Sequence, residues 1–265
     1  MTLSRRDLGR AAVASTLSVS AVDAEEAGGG SARTTFVLVH GAWHGGWCWR
    51  RVERLLRKAG HDVFTPTLTG LADRAHLLTR AVNLGTHVDD VVKLLEVEEL
   101  REVVLVGHSY AGMILSAAGP RLASRLKRLV FLDALVPASG QSFFDTFSPK
   151  WAEAWRKRVR DEGEGWKLPP AFDAKSLGIA DPKDAAWVDG KLTPHPAASM
   201  EEKAEFDVKL LGALPKTYLV CKAGAFASTA ERQRKAGWEV LGVDAGHDAM
   251  VSAPQALAEL LRTLA

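Results

Sequence analysis

Residues 35–40 read TFVLVH, a β-branched and almost unbroken apolar run that is short for a helix and too apolar for a strand with one wet face. A run of this kind is a strand covered on both sides. Residues 49–59 follow with helical spacing and stop at Gly60, and 61–66 form a second candidate strand. The alternation continues with a helix over 86–95, a strand over 102–106, a helix over 111–118 and a strand over 128–132. After a break it resumes with a strand at 218–221, a helix at 228–236, a strand at 238–243 and a closing helix at 254–264. Strand and helix in strict alternation predict an α/β fold: a mostly parallel sheet of about six strands with helices on both faces.

The break is informative. Residues 137–210 carry seven prolines and nearly half of the chain's aromatic residues. This is an inserted, aromatic-rich segment, with the core formed by 34–136 and 211–265. Residues 1–24 stand outside that core: Ser4-Arg5-Arg6-Asp7-Leu8 is a twin-arginine pattern, followed by a weakly apolar run over 11–22 and a small-residue site ending at Ala24. They resemble a bacterial twin-arginine export signal, which implies a periplasmic or secreted protein, or a cytoplasmic one if the N-terminus is not processed. The apolar run is too short for a bilayer span. Residues 25–33, with three consecutive glycines, read as a linker.

A formal net charge of +2, with no basic block, leaves no electrostatic footprint for nucleic acid and points to a small-molecule partner. The two cysteines, Cys48 and Cys221, show no metal-binding or redox spacing and read as buried free thiols.

The chemistry gathers at three strand ends. Residues 103–106 run into Gly107-His108-Ser109-Tyr110-Ala111-Gly112, a strand followed at once by a helix with serine at the sharp turn. It is a nucleophile elbow, G-x-S-x-G, with alanine for the last glycine. A serine in that strained turn needs small neighbours two residues either side, and alanine meets the need; the alternative is a serine that caps a helix. The first strand ends in His40-Gly41-Ala42-Trp43-His44-Gly45-Gly46-Trp47. Small residues there let the loop approach the substrate, and the amides of Ala42 and Tyr110 are the candidate oxyanion donors. His40 and His44 have H-x-x-x-H spacing, but a strand end and a glycine loop do not present one helical face to zinc. The third end is Asp244-Ala245-Gly246-His247-Asp248, where His247 is placed as general base. The remaining histidines read as structural or surface residues. Gly41, Trp43 and Tyr110, with Phe144 and Trp151 from the insertion, are the candidate pocket walls, although cap aromatics would serve equally as packing against the core.

HGAWHGGWCW at 40–49, TPTLTGLADRAHL at 65–77, GHSYAGM at 107–113 and GHDAM at 246–250 together resemble the α/β-hydrolase superfamily. Within it they are similar to the plant methyl esterases and hydroxynitrile lyases and their bacterial esterase relatives. The resemblance spans both ends of the domain and implies that the insertion at 137–210 is the family's helical cap, which covers the active site. It implies a serine hydrolase that cleaves small, largely apolar carboxylic esters through an acyl-enzyme, with no metal or organic cofactor.

In the triad acid the chain departs from that pattern. The plant relatives are expected to carry an aspartate after the strand at 218–221, where this chain reads Lys222-Ala223-Gly224-Ala225-Phe226-Ala227-Ser228. Asp133, directly after the strand at 128–132, takes the alternative position that some α/β-hydrolases use, and the order Ser109, Asp133, His247 is compatible with it. Asp244 and Asp248 are rivals close in sequence to His247, and Glu231 is a more distant one. The lyases are expected to carry threonine after the oxyanion-strand histidine and lysine after the catalytic histidine; Gly41 and Asp248 stand there, which favours hydrolysis. Carbamate or activated-amide hydrolysis on the same triad, lyase chemistry and a non-catalytic ligand-binding role remain as alternatives.

Overall fold

The computed structural model describes residues 33–265. The expected export signal, and all but the last residue of the expected linker, lie outside the described residues. Six parallel strands form the sheet: β1 Thr35–Val39, β2 Asp62–Phe64, β3 Val103–His108, β4 Leu126–Leu132, β5 Lys216–Ala223 and β6 Glu239–Gly246, in the order β6-β5-β4-β3-β1-β2. Side chains on a strand alternate between faces, so the near-continuous apolar strands feed two cores. Val37, Val39, Leu105, Leu129 and Phe131 join one cluster; Phe36, Leu38, Val104, Val106, Val130 and Leu132 join the other.

The helices cover both faces. α1 (Arg50–Lys58) and the closing helix Pro254–Thr263 bury Val52, Leu56, Leu257 and Leu261 in the second cluster. The helices α2 (Leu84–Val97) and α3 (Ala111–Arg121) pack on the other face through Val88, Val91, Leu95, Ile114 and Leu115. α2 starts in a capping box, the Asn83 side chain accepting from the Thr86 N–H and the Thr86 hydroxyl accepting from the Asn83 N–H. α3 runs three residues past Ala118 to Arg121, with Pro120 inside its last turn.

Between β4 and β5 the chain makes a long excursion. It holds α4 (Pro149–Glu162), α5 (Pro182–Asp189) and two small antiparallel pairs, Gln141–Ser142 with Lys203–Ala204 and Lys167–Leu168 with His195–Pro196. Ser148 caps α4 and Asp181 caps α5, each followed by proline at the first helical position. Among the described residues no helix is long and apolar enough to cross a membrane. Cys48 and Cys221 are both buried and free.

Candidate active site

Ser109 leaves β3 at φ 55°, a left-handed conformation that a side chain rarely adopts. Backbone bonds on both sides hold it there: its N–H donates to the Leu132 carbonyl at 3.2 Å, and its carbonyl accepts from Gly112 and Leu135 at 3.1 Å. A Cβ at Gly107 would lie 2.5 Å from Leu115 Cδ1, which explains the glycine two residues before the serine. The tighter of the two elbow glycines is Gly112, where a Cβ would meet the Leu135 carbonyl oxygen at 1.8 Å. The demand for small residues thus extends to the third residue after the serine.

His247 follows β6, whose register with β5 shifts between Val243 and Gly246, an irregularity that turns the chain as it leaves the sheet. The excursion braces this loop: Gly178, at φ 85°, lies so close to Gly246 that a Cβ on either would come within 2.5 Å of the other's Cα, and the Leu177 carbonyl accepts from the Asp248 N–H at 3.0 Å. The structure brings His247 and Asp133 together, with Nδ1 2.6 Å from Oδ2. Asp133 is fully buried at φ 39°, and its carboxylate also accepts from the Cys221 and Ala225 amides, both at 3.3 Å. The acid-free loop after β5 therefore wraps the carboxylate. A Cβ at Gly224 would sit 2.2 Å from Asp133 Oδ2.

The rival carboxylates are engaged elsewhere. Asp244 is 87% exposed beside Lys222, Glu231 pairs with Arg234 on the surface, and Asp248 binds His44 Nε2 at 2.9 Å. Asp248 is wholly buried, which disfavours its charge, yet the contacts with His44 hold its pKa down at about 2.

Histidines set the loop after β1. His40 Nε2 accepts from the Leu68 N–H at 3.0 Å, which leaves Nδ1 to carry the proton and donate to the Gly41 carbonyl at 2.8 Å. In a trans peptide that points the Ala42 N–H the opposite way. Burial lowers the His40 pKa to about 3, so the ring stays neutral. His195 accepts from the Trp43 N–H at 3.4 Å and donates through Nε2 to Ser199 Oγ at 2.9 Å, the Ser199 hydroxyl itself donating to the Pro196 carbonyl. The Tyr110 hydroxyl donates to His87 Nδ1 at 3.0 Å, while His87 Nε2 donates to the Thr69 carbonyl at 3.0 Å. These rings are structural, as the sequence indicates for His87 and His195, but what they structure is the site. A histidine count well above what the chemistry needs was the available signal.

Ser109, His247, Gly41, Ala42, Trp43 and His108 line a cavity of about 350 Å³, together with Phe143, Phe147, Trp151, Trp155 and Phe172 from the excursion and Phe226 from the loop after β5. Phe147, Trp151 and Trp155 form a stacked row with 3.9 Å between successive ring centroids. Two expected wall residues lie elsewhere. Tyr110 is fully buried, its ring drawn inward by His87, and Phe144 is 1% exposed beneath the Arg156 guanidinium, 4.8 Å from the ring. Gly41 serves close packing more than spare room, since a Cβ there would be 2.9 Å from both His108 Nδ1 and Ser109 Cβ. A more open, polar cleft of about 620 Å³, lined by Arg50, Glu53, Asp73 and Lys191 among others, contains neither Ser109 nor His247.

Metal-binding residue types do cluster here: ligand atoms of His108, His247 and Asp248 lie within 4.8 Å of one another. Protein partners take part of this donor set, His247 Nδ1 going to Asp133, Asp248 Oδ2 to His44, and His108 Nε2 to the His247 carbonyl at 3.0 Å, while His108 Nδ1 and Asp248 Oδ1 are buried without a hydrogen bond among the described residues. Both nitrogens of His40 and of His44 are likewise taken, so neither is free to ligate zinc.

A family described as the alpha/beta hydrolase family matches residues 36–260. A carbendazim hydrolyzing esterase from Nocardioides sp. (strain SG-4G) is 37% identical, over 86% of this chain and 98% of that protein. Salicylic acid-binding protein 2 from Nicotiana tabacum is 31% identical over 87% of this chain and 96% of its own length. Among solved structures, an extracellular alpha/beta-hydrolase from a Paenibacillus species, described as sharing structural and functional homology with the tobacco protein, superposes with a TM-score of 0.78 at 25% identity. It covers 87% of this chain and 98% of that one.

Proposed function

The chain belongs to the alpha/beta hydrolase family and is an ester-cleaving enzyme of it, and on that premise we propose that it is a serine carboxylesterase for small, largely apolar esters. The observation that carries this reading is the Asp133–His247 contact of 2.6 Å in the cavity that also holds Ser109 at φ 55°. With Nδ1 donating to Asp133, His247 offers Nε2 as the base. It takes the Ser109 proton as the serine oxygen attacks the ester carbonyl. The negative oxygen that forms accepts from the amides of Ala42 and Tyr110, the second at the start of α3, where the helix dipole adds to the stabilisation. His247 then passes its proton to the leaving alcohol, and water, deprotonated by the same ring, releases the acid. The apolar wall of Trp43, Phe147, Trp151 and Trp155 favours an uncharged substrate.

Ser109→Ala should abolish hydrolysis of a p-nitrophenyl ester and labelling by a fluorophosphonate; retained turnover would overturn the reading. Asp133→Asn should lower kcat by ~10⁴-fold through loss of the ring's tautomer, whereas Asp244→Asn should change nothing. Hydrolysis of carbendazim at the same site is a second reading, favoured by the 37% identical relative named for that reaction. Residues 1–24 are proposed as an export signal and 137–210 as a cap. N-terminal sequencing of the protein recovered from a host with twin-arginine export tests the first; cleavage after Ala24 supports it.

A further inference from the structure

His44 faces two acceptors. Its Nδ1 lies 2.8 Å from the Ala42 carbonyl and its Nε2 2.9 Å from Asp248 Oδ2, while the ring is 2% exposed and the carboxylate fully buried. A neutral imidazole has one N–H and cannot donate to both. The bonds are satisfied by an imidazolium against a carboxylate. Burial alone would discharge His44, but the Asp248 charge and the two hydrogen bonds outweigh it and raise its pKa, while the same contacts hold Asp248 low. The ring stacks on Trp47 at 5.3 Å and stands edge-on to His108 at 6.3 Å. The other titratable groups facing the pair are His108, whose Nε2 is 3.9 Å from Asp248 Oδ1, together with His247, His40 and the Cys48 and Cys221 thiols.

We infer that His44, clamped between the Ala42 carbonyl and the Asp248 carboxylate, is a positioning residue that registers the oxyanion loop against the loop of the catalytic base; this rests on the esterase reading of the site. Its logic is geometric. His40 fixes the peptide between Gly41 and Ala42, and His44 with His195 fixes the next peptide from both sides, through the Ala42 carbonyl and the Trp43 N–H. With both planes held, Ala42 cannot rotate its N–H away from the developing oxyanion. The bonds also hold Trp43 at φ 63°, a conformation that relaxes once they are lost. Asp248 is the residue directly after His247 and is bonded through its own N–H to Leu177, so the clamp ties oxyanion donor and base into one rigid unit. A carboxylate in that place, bonded to a histidine five residues after β1, joins the HGAWH and GHDAM segments in a single contact.

The test has two arms. In the wild-type protein labelled with ¹⁵N-histidine, the resonance lost in His44→Phe should show both ring nitrogens protonated at neutral pH; a singly protonated ring overturns the inference whether or not the protein hydrolyses esters. In steady-state assays with p-nitrophenyl butyrate, His44→Phe should lower kcat by ~10–100-fold with KM little changed, because the oxyanion donor is misaimed rather than removed. Affinity for an aryl trifluoromethyl ketone, which presents an oxyanion, should fall in parallel. His44→Asn, whose side-chain N–H₂ can reach the Ala42 carbonyl, should recover much of kcat. Should His44→Phe fold poorly because Asp248 is left unpaired, the double variant His44→Phe/Asp248→Leu removes the orphan charge and should still show the kcat and ketone defects. Unchanged kcat in either folded variant, or a defect confined to KM, overturns the inference. Failure of Ser109 to take a fluorophosphonate would instead overturn the esterase reading, and the ring protonation would still stand or fall by itself.

Discussion

Gly224→Ala is the substitution that most directly probes how Asp133, the proposed triad acid, is held. Gly224 has no left-handed φ, so alanine is conformationally acceptable and the effect reduces to space. The added Cβ would lie 2.2 Å from Asp133 Oδ2, 2.7 Å from Cγ and 2.8 Å from Oδ1, where ordinary contact begins near 3.4 Å. Either the loop retreats or the carboxylate turns, by ~1 Å in both cases, a displacement that for a catalytic group costs on the order of 10²-fold. A retreat removes the Ala225 N–H from Oδ2, already long at 3.3 Å, and a turn removes Oδ2 from His247 Nδ1. Overpacking of this kind should also cost ~1–3 kcal/mol of stability. The assay is kcat on p-nitrophenyl butyrate with thermal unfolding in parallel, and Gly212→Ala is the control, since nothing lies within 4 Å of a Cβ there. The variant should lose ~10²-fold in kcat at a modestly lowered Tm. A folded Gly224→Ala enzyme with wild-type kcat would refute the argument that the loop after β5 shapes the acid.

Other outcomes follow from the same contacts. Gly112→Ala places a Cβ 1.8 Å from the Leu135 carbonyl oxygen and should sharply reduce the yield of folded protein, measured by soluble expression and Tm, since backbone must move to admit it. Trp151→Ala removes the middle ring of the stacked row and should raise kcat/KM for bulky acyl esters relative to acetate, read as a ratio across a series of p-nitrophenyl esters. Acid should destabilise the domain: His40 at about 3 and His87 at about 4 are depressed chiefly by burial from an unfolded value of 6.5. The unfolded chain then binds more protons between those limits, so the contribution of these rings is complete above 6.5 and is lost as pH falls through that window. The His44–Asp248 pair acts in the opposite sense for His44, whose raised pKa supplies stability below 6.5 that fades as pH climbs through the folded value. Tm measured from neutral pH down to about 4 should fall; a flat profile would refute the dominance of the His40 and His87 contribution.

The fold was legible because a strand covered on both faces must be apolar at every position. TFVLV in β1, VVLV in β3 and LVFL at the end of β4 carry that requirement openly, and α1 and α2 show an apolar stripe. Errors at element ends came from caps and side-chain contacts, as where α2 begins two residues early at the Asn83 cap. The serine was legible too, because an elbow demands small neighbours. Pocket walls were not: Tyr110 and Phe144 have the same apolar character as Trp43 and Trp151, and only the rings they pack against decide which of them faces the cavity.

Local chemistry alone therefore determined the order of strands and helices, the turn that exposes Ser109 and the candidacy of His247, since each depends on residues near one another in the chain. Which carboxylate meets that histidine was decided only when β4, β5 and β6 lay side by side, bringing Asp133 within 2.6 Å of a residue 114 positions away. The same is true of His44 and Asp248, which are 204 positions apart. A hydrogen bond has a range of one contact and is indifferent to sequence distance, so the partners that tune a site emerge from the packing of the sheet.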